Sequence, residues 1–478
     1  MTRILIALLL AASLSLCSAQ QPPSGNATPT GRSLQRGVLI PSVSTQAAPD
    51  QSYALYVPSN YAPDRNWPII FVFDPGAQGS RPLTLMKDAA ERYGYILAGS
   101  NNSRNGDMKE QLEAPRQMWN DTRTYLAIDS RRIYFAGFSG GARLASYLAQ
   151  VCDCSRAVFL NGAALLQGAP PVSERKFAAF SLAGLGDFNY AEILDLDNKL
   201  ESLEQPHFFL RFNGEHEWAP ATAWDQAFAW ATLLEMKNGV RDRDSALIAA
   251  ELSESVERIQ KQAASGESYL ALQETRGMIT VFDGLTATTS LSELAATLEK
   301  DPRTRAGAKS EKSEIDRQHI RGDAIIRSII SLQEYPSSQA ALSAILSQVR
   351  ELQERLIKEK NPSEKRVLQR TLGSVFIMSM ETGGAILQKG NPANAQPYFQ
   401  IAAETSPDSS WPFLSLARCH AARGNKKDAI RDLKRAIEIG YPLDSLTDFV
   451  KKDPNLAQLA LTGEYKAMVT STAPTVPK

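Results

Sequence analysis

The chain has 478 residues, of which 43% are hydrophobic, and its 52 Lys and Arg residues balance 52 Asp and Glu residues. This length exceeds what one hydrophobic core normally holds, so we expect two or three domains. The zero net charge gives no reason to expect nucleic acid or an anionic membrane surface as a partner. The four cysteines are too few for a disulfide framework, and we expect Cys152 and Cys154 to stay unbridged because a bridge across one residue is strained.

The N-terminal residues are typical of a secretory signal peptide. A basic start at Arg3 precedes an apolar run over residues 4–16, too short to span a bilayer, and small residues end at Ala19. We expect residues 1–19 to be removed and the mature protein to be secreted or periplasmic. A lipid anchor on Cys17 is the less favoured alternative, because the large residue before this cysteine fits a lipoprotein signal poorly. Residues 20–36 are rich in Pro, Gly, Ser and Thr, which predicts a disordered leader.

Strand patterns alternate with helical patterns over residues 37–237. Apolar runs predict strands at 52–57, 67–73, 95–98, 133–138, 157–160, 177–182 and 207–212. Helical patterns at 86–93 and 114–126 separate some of them. Such alternation predicts a mostly parallel sheet with helices on both faces, which is the α/β class.

A Gly-x-Ser-x-Gly sequence lies between the strand that begins at residue 133 and a helical pattern. Gly137 and Gly141 flank Ser139 at two residues on either side, as a sharp strand-to-helix turn requires. Such a nucleophile elbow lifts the serine hydroxyl above the sheet. The N–H of Gly140, at the helix N-terminus, is then expected to bind an oxyanion.

Four histidines are candidates for the base that activates Ser139. His319 lies in a charged helical region and is interpreted as a surface residue, whereas His420 falls within a helix core. His207 begins a strand, at the edge opposite to that where catalytic groups of parallel sheets gather. His216 follows the same strand and comes last in chain order, so we expect it to be the catalytic base.

The carboxylate that orients the histidine is expected directly after the preceding strand. Asp187 follows the strand over 177–182 in a glycine-containing turn, where it can fix the imidazole tautomer. Asp195 and Asp197 are alternatives, but their surroundings predict a helix with the charges outward. We therefore expect the triad Ser139, Asp187 and His216.

A second oxyanion donor is expected in the loop after the strand over 67–73. Ala77 is the best candidate for that backbone N–H, with Gly76 behind it, and Asp74 is interpreted as structural. Asn101, Asn102, Arg104 and Asn105 follow a neighbouring strand. They could line the substrate pocket, although such residues are ordinary in turns.

With these motifs, residues from about 37 to 234 resemble the α/β-hydrolase superfamily. The similarity is to secreted esterases of the dienelactone-hydrolase, feruloyl-esterase and polyhydroxybutyrate-depolymerase kind, and Gly-Phe-Ser-Gly-Gly and the His-x-Trp loop carry it. One departure is that the His-Gly usual before the oxyanion loop is replaced by Asp74-Pro75-Gly76. The resemblance implies ester hydrolysis through an acyl-enzyme on Ser139, with no metal or cofactor.

Helical periodicity replaces the strands after about residue 238. One amphipathic helix has its apolar face at Leu342, Ile345, Leu346, Val349, Leu352 and Leu356. Residues 303–317 are highly charged, which predicts a loop or a solvated helix face. We assign 238–364 to a helical region that could hold divergent repeats.

A 34-residue period follows over residues 365–470. The positions Gly390, Ala395, Phe399, Ala402 and Pro407 recur as Gly424, Ala429, Leu433, Ala436 and Tyr441. This pattern resembles tetratricopeptide repeats, whose stacked helix pairs suit a protein or peptide partner.

Three functions are compatible with this sequence. The first is an extracytoplasmic serine esterase acting on a small or polymeric ester. The second is an inactive hydrolase-fold scaffold that presents the helical repeats to a partner. The third is a serine peptidase, because esterases and peptidases share the triad. Residues after about 234 are not expected to contribute catalytic groups.

Overall fold

The structure is a computed structural model that describes residues 34–106, 108–152, 154–166, 168, 177–334 and 338–472. The predicted signal peptide, Cys17 and most of the predicted leader lie outside the described residues. Within the described part of the chain, no helix is both long enough and apolar enough to cross a membrane.

Eight strands of the described chain form one sheet in the order β1-β2-β4-β3-β5-β6-β7-β8. Their bounds are β1 Leu39–Ser44, β2 Ser52–Tyr56, β3 Trp67–Phe73, β4 Ile96–Ser100, β5 Ile128–Phe138, β6 Ser155–Asn161, β7 Ala178–Gly184 and β8 His207–Phe212. β3 to β8 are parallel, whereas β2 runs antiparallel to both of its neighbours. The mostly parallel sheet predicted from the sequence is confirmed.

The chain divides into two compact units, at residues 1–310 and 311–478. The helices that lie wholly in the first unit are α1 Ser80–Tyr93, α2 Met108–Tyr125, α3 Gly140–Val151, α4 Tyr190–Ser202, α5 Ala221–Lys237, α6 Ser245–Ala264, α7 Ser268–Phe282 and α8 Thr289–Lys300. The boundary falls within α9, Pro302–Ser331. The described helices after it are α10 Gln339–Lys358, α11 Pro362–Gln388, α12 Pro392–Thr405, α13 Ser410–Ala422, α14 Lys426–Glu438, α15 Leu443–Lys452 and α16 Gly463–Thr472, with a short 3₁₀ turn at Leu459–Leu461.

The sheet of the first unit is buried on both faces. One apolar cluster joins it to α1 and α5, with Met86 and Trp224 among the buried side chains, and a second joins it to α2, α3 and α4, with Met118 and Leu144. All seven residues of β3 are buried, as its unbroken apolar run predicts for a central strand. A strand-to-helix elbow within such a sheet is the α/β-hydrolase fold, which confirms the predicted fold class.

Helices α6, α7 and α8 belong to the first unit, beyond the boundary that we expected at residue 237. Buried apolar residues of all three join the cluster on the α1 and α5 face of the sheet. Gly277 of α7 packs so closely on Phe208 of β8 that a Cβ there would lie 2.5 Å from the ring. The strand pattern ends near residue 212, but the hydrophobic core that covers the sheet also includes residues of α6, α7 and α8.

The second unit consists of helices packed around three apolar clusters. The predicted amphipathic helix is α10, and its Leu342, Ile345, Val349 and Leu352 are buried. Residues 303–317 lie within α9 and are not wholly solvated, because Glu314 is buried and accepts a 2.9 Å hydrogen bond from Arg366.

The two copies of the 34-residue pattern occupy equivalent places. Gly390 and Gly424 follow α11 and α13 with φ of 77° and 79°, a left-handed conformation that favours glycine. The alanine and large apolar positions of each copy are buried on α12 and α14. Classification as tetratricopeptide repeats stays a prediction.

Cys152 and Cys154 form a disulfide at the end of α3, which corrects the expectation that they stay unbridged. The helix ends at Val151, and the extended backbone of Cys152 brings the two Cα atoms to 5.1 Å. That separation lies within the ordinary range for a bridge.

Candidate active site

The strand-to-helix turn between β5 and α3 places Ser139 at the carboxyl edge of the sheet. Its backbone has φ 52° and ψ −120°, which a side-chain-bearing residue rarely adopts. A Cβ at Gly137 would collide with the carbonyl of Gly141, and a Cβ at Gly141 would collide with that of Phe73. The Ser139 N–H is fixed by a 2.8 Å hydrogen bond to the Asn161 carbonyl. The spacing of the glycines is therefore a steric requirement of the turn.

Three side chains from the ends of three parallel strands meet at this edge. His216 Nε2 lies 2.9 Å from Ser139 Oγ, and His216 Nδ1 lies 2.9 Å from Asp187 Oδ1. Asp187 is fully buried, while Ser139 and His216 are half-buried. The arrangement has the geometry of a nucleophile, a base and an orienting carboxylate.

Asp187 is held by the turn that follows β7. Its Oδ1 also accepts a 2.8 Å hydrogen bond from the Asn189 N–H, and its own N–H donates to the Gly184 carbonyl at 3.0 Å. A Cβ at Gly184 would collide with the carbonyl of Glu215, so glycine lets the turns after β7 and β8 pack together. This contact keeps Asp187 within reach of the histidine.

The His216 ring contacts two aromatic side chains. The ring centroids of Phe138 and Phe188 are 4.6 Å and 4.1 Å from that of the imidazole. The buried Asn161 anchors the loop after β8, because its Oδ1 accepts the Ala219 N–H at 2.8 Å. Sequence reasoning missed these supports, although an Asn that ends an apolar strand is a visible signal for a buried hydrogen bond.

Asp74 organises the loop after β3, in agreement with the structural role expected for it. Its Oδ2 accepts the Trp218 Nε1–H at 2.8 Å, and its Oδ1 accepts the N–H groups of Gly76 and Gln78 at 2.8 and 3.3 Å. The Ala77 N–H donates to the Asp74 carbonyl at 3.0 Å, with Ala77 at φ 60°. The N–H groups of Ala77 and Gly76, the two residues expected to offer the second oxyanion donor, are thus already hydrogen-bonded within the loop.

The polar loop after β4 lies beside this one. Asn101 Oδ1 accepts the Gly79 N–H at 3.2 Å, and Asn102 Oδ1 accepts the Ser52 N–H at 2.8 Å. These two side chains hold the loop in place. Asn105 has an exposed side chain and differs from them in that respect.

The alternative residues lie elsewhere. Asp195 is exposed on α4, and Asp197 lies 3.4 Å from the ring of His207 at the amino end of β8. In the second unit, His319 is exposed and His420 is buried. Among the described residues, no group of three or more His, Cys, Asp and Glu side chains could hold a metal ion.

No protein-family model and no curated protein matches the chain. Similar solved structures include an S-formylglutathione hydrolase from Staphylococcus aureus, 12% identical with a TM-score of 0.34, where the match covers 42% of this chain and 100% of that one. A feruloyl esterase module from Clostridium thermocellum is 15% identical with a TM-score of 0.31, covering 41% and 89%. An acylaminoacyl peptidase from Pyrococcus horikoshii is 12% identical with a TM-score of 0.31, covering 42% and 41%. Because these scores are low, the function proposed below depends on the chain's own residues.

Proposed function

We propose that this chain is a serine hydrolase that cleaves carboxylic esters through an acyl-enzyme on Ser139. The observation that carries the proposal is the position of His216, whose two ring nitrogens lie 2.9 Å from the Ser139 hydroxyl and 2.9 Å from the Asp187 carboxylate. A hydrogen-bonded chain of this kind activates a serine, which is otherwise a weak nucleophile.

The reaction proceeds in two halves on the same residues. Ser139 Oγ attacks the ester carbonyl while His216 Nε2 takes its proton, and the imidazolium that forms is stabilised by Asp187. Collapse of the tetrahedral intermediate expels the alcohol, to which His216 returns the proton. Water then attacks the acyl-enzyme with His216 again as the base, which releases the carboxylic acid and regenerates Ser139.

The backbone of α3 supplies the first oxyanion donor in this proposal. Gly140 begins the helix, so its N–H has no intrahelical acceptor, and it follows the nucleophile directly. The helix N-terminus also favours the negative charge of the intermediate. The fixed backbone of the elbow keeps this donor ordered before the substrate arrives.

We also propose that the protein acts outside the cytoplasm. The signal-peptide pattern over residues 1–19 supports this, and a Cys152–Cys154 disulfide is of the kind that persists in oxidising compartments. The second unit is proposed to bind a protein or peptide through its helix pairs.

A fluorophosphonate probe and short acyl esters test the catalytic proposal. We expect the probe to label wild-type protein once, at Ser139, and expect Ser139→Ala and His216→Ala to abolish labelling and ester turnover. His207→Ala is the matched control, because its ring lies at the other end of β8 and faces Asp197.

The labelling and turnover results distinguish the esterase from the scaffold and from the peptidase. Labelling that survives in Ser139→Ala would refute the assignment of the nucleophile. A folded wild-type protein that neither labels nor turns over any ester in a broad library would favour the scaffold. Cleavage of blocked peptides with no ester turnover would favour the peptidase.

A further inference from the structure

In the loop after β3, the backbone N–H groups of residues 76 to 78 all have hydrogen-bond acceptors. These residues include Ala77 and Gly76, where a second oxyanion donor was expected. Gly76, Ala77 and Gln78 each direct the backbone N–H to an oxygen of Asp74, two to its side chain and one to its carbonyl. Because these three N–H groups are already engaged, a second donor beside the Gly140 N–H would have to come from another segment.

The loop after β4 brings such a side chain to the elbow. Gly76 and Arg104 form an antiparallel bridge, and the Asn105 N–H donates to the Pro75 carbonyl at 3.0 Å. These backbone contacts join the two loops and place residue 105 beside the loop after β3. The position of Asn105 is therefore set by main-chain hydrogen bonds, which do not depend on its side chain.

The Asn105 amide lies directly over Gly140. A Cβ built on Gly140 would collide with Asn105 Oδ1, and it would lie 2.6 Å from Cγ and 2.8 Å from Nδ2. Glycine at position 140 thus leaves room for this amide. A side-chain amide carries two N–H donors, and a half-turn about its broad terminal torsion exchanges Oδ1 with Nδ2.

We propose that Asn105 is a catalytic residue whose Nδ2–H₂ donates the second hydrogen bond to the oxyanion, beside the Gly140 N–H. This inference rests on the proposed function, because it concerns the intermediate formed on Ser139. The donor is a side chain on the loop after β4, which takes the place of a backbone N–H in the loop after β3.

The proposal predicts that removing the Asn105 amide weakens stabilisation of the transition state and leaves the affinity for the substrate almost unchanged. Removal of one oxyanion donor lowers kcat by about 10²–10³-fold in enzymes where it has been measured. We expect Asn105→Ala to lower kcat by about 10²-fold with little change in KM. Asn105→Asp keeps the shape but replaces the donor with a carboxylate, so kcat should fall further.

Esters in which sulfur replaces the carbonyl oxygen separate this role from a merely structural one. Sulfur is a weak hydrogen-bond acceptor, so an enzyme that depends on oxyanion donors should prefer the oxygen ester strongly. The ratio of kcat/KM for oxygen and thiono esters should fall in Asn105→Ala. The control is Asn102→Ala, the same change in the same loop, whose side chain accepts the Ser52 N–H. It should lower the unfolding temperature and leave that ratio unchanged.

The outcomes test the role of Asn105 separately from the proposed ester hydrolysis at Ser139. A wild-type protein that hydrolyses esters, with an Asn105→Ala variant that is folded and has an unchanged kcat and an unchanged ratio, would overturn the role of Asn105 alone. An equal fall of the ratio in Asn102→Ala would also overturn it, since loop order would then explain the loss. A wild-type protein that is not labelled at Ser139 would overturn both proposals.

Discussion

The extent of the unit that carries the proposed triad can be tested by truncating the chain at two places. A chain that ends after Ser310 keeps α6, α7 and α8, whereas one that ends after Lys237 loses all three. We expect the longer fragment to unfold cooperatively and to be labelled at Ser139. We expect the shorter one to be strongly destabilised, although it holds the whole proposed triad.

The expected loss of unfolding free energy follows from the contacts that the shorter fragment lacks. Phe208 of β8 is 4% exposed and lies under Gly277 of α7, so truncation uncovers one face of its ring. The Tyr93 hydroxyl loses Glu251 at 2.8 Å, and Lys237 Nζ loses the Thr280 carbonyl at 2.7 Å. About half of the burial of one aromatic side chain, together with two hydrogen bonds, amounts to about 2–4.5 kcal/mol. This is a large part of the 5–15 kcal/mol that typically stabilises a domain.

Urea unfolding followed by tryptophan fluorescence, together with fluorophosphonate labelling, measures both properties on each fragment. The urea midpoint should fall by about 1 M or more in the shorter fragment, and its labelling should fall with the folded fraction. If both fragments unfold at the same midpoint, the helices after residue 237 do not stabilise the unit that carries the proposed triad. If the longer fragment is folded but inactive, the second unit is needed for catalysis.

Three further predictions concern single positions. Asp187→Asn should lower kcat by about 10⁴-fold without preventing folding, because His216 Nδ1 loses the carboxylate that fixes its tautomer; steady-state kinetics and thermal unfolding check this. Gly140→Ala should cost about as much activity as Asn105→Ala, because its methyl group displaces the amide, and a double-mutant cycle should give a combined loss well below the product of the two. Burial raises the pKa of Asp432 from 3.8 to about 6, so its contribution to stability is full below about pH 4 and is lost as the pH rises through 6. Asp432→Asn should therefore raise the unfolding temperature of the second unit by several degrees at pH 8 and much less at pH 4. An equal rise at both pH values would contradict the raised pKa of Asp432.

Local sequence determined the elbow and the two loops that follow β7 and β8. The elbow is specified by glycines two residues on either side of Ser139, since any Cβ there meets a backbone carbonyl. Asp187 and His216 could be assigned because the carboxyl ends of parallel strands share one edge of the sheet. Strand order along the chain was enough for that inference, without knowledge of any side-chain contact.

Only the tertiary structure decided which acceptors the N–H groups of the loops near Ser139 meet. The sequence shows that Ala77 lies in the expected loop, but not that its N–H donates to the Asp74 carbonyl. It shows Asn105 in a polar turn, but not that a bridge between two loops places its amide over Gly140. The end of the first unit likewise depends on α7 packing on β8. The physical reason is the same in each case: periodicity and turn chemistry are local, whereas the choice of a hydrogen-bond acceptor or a packing partner is made between segments far apart in the chain.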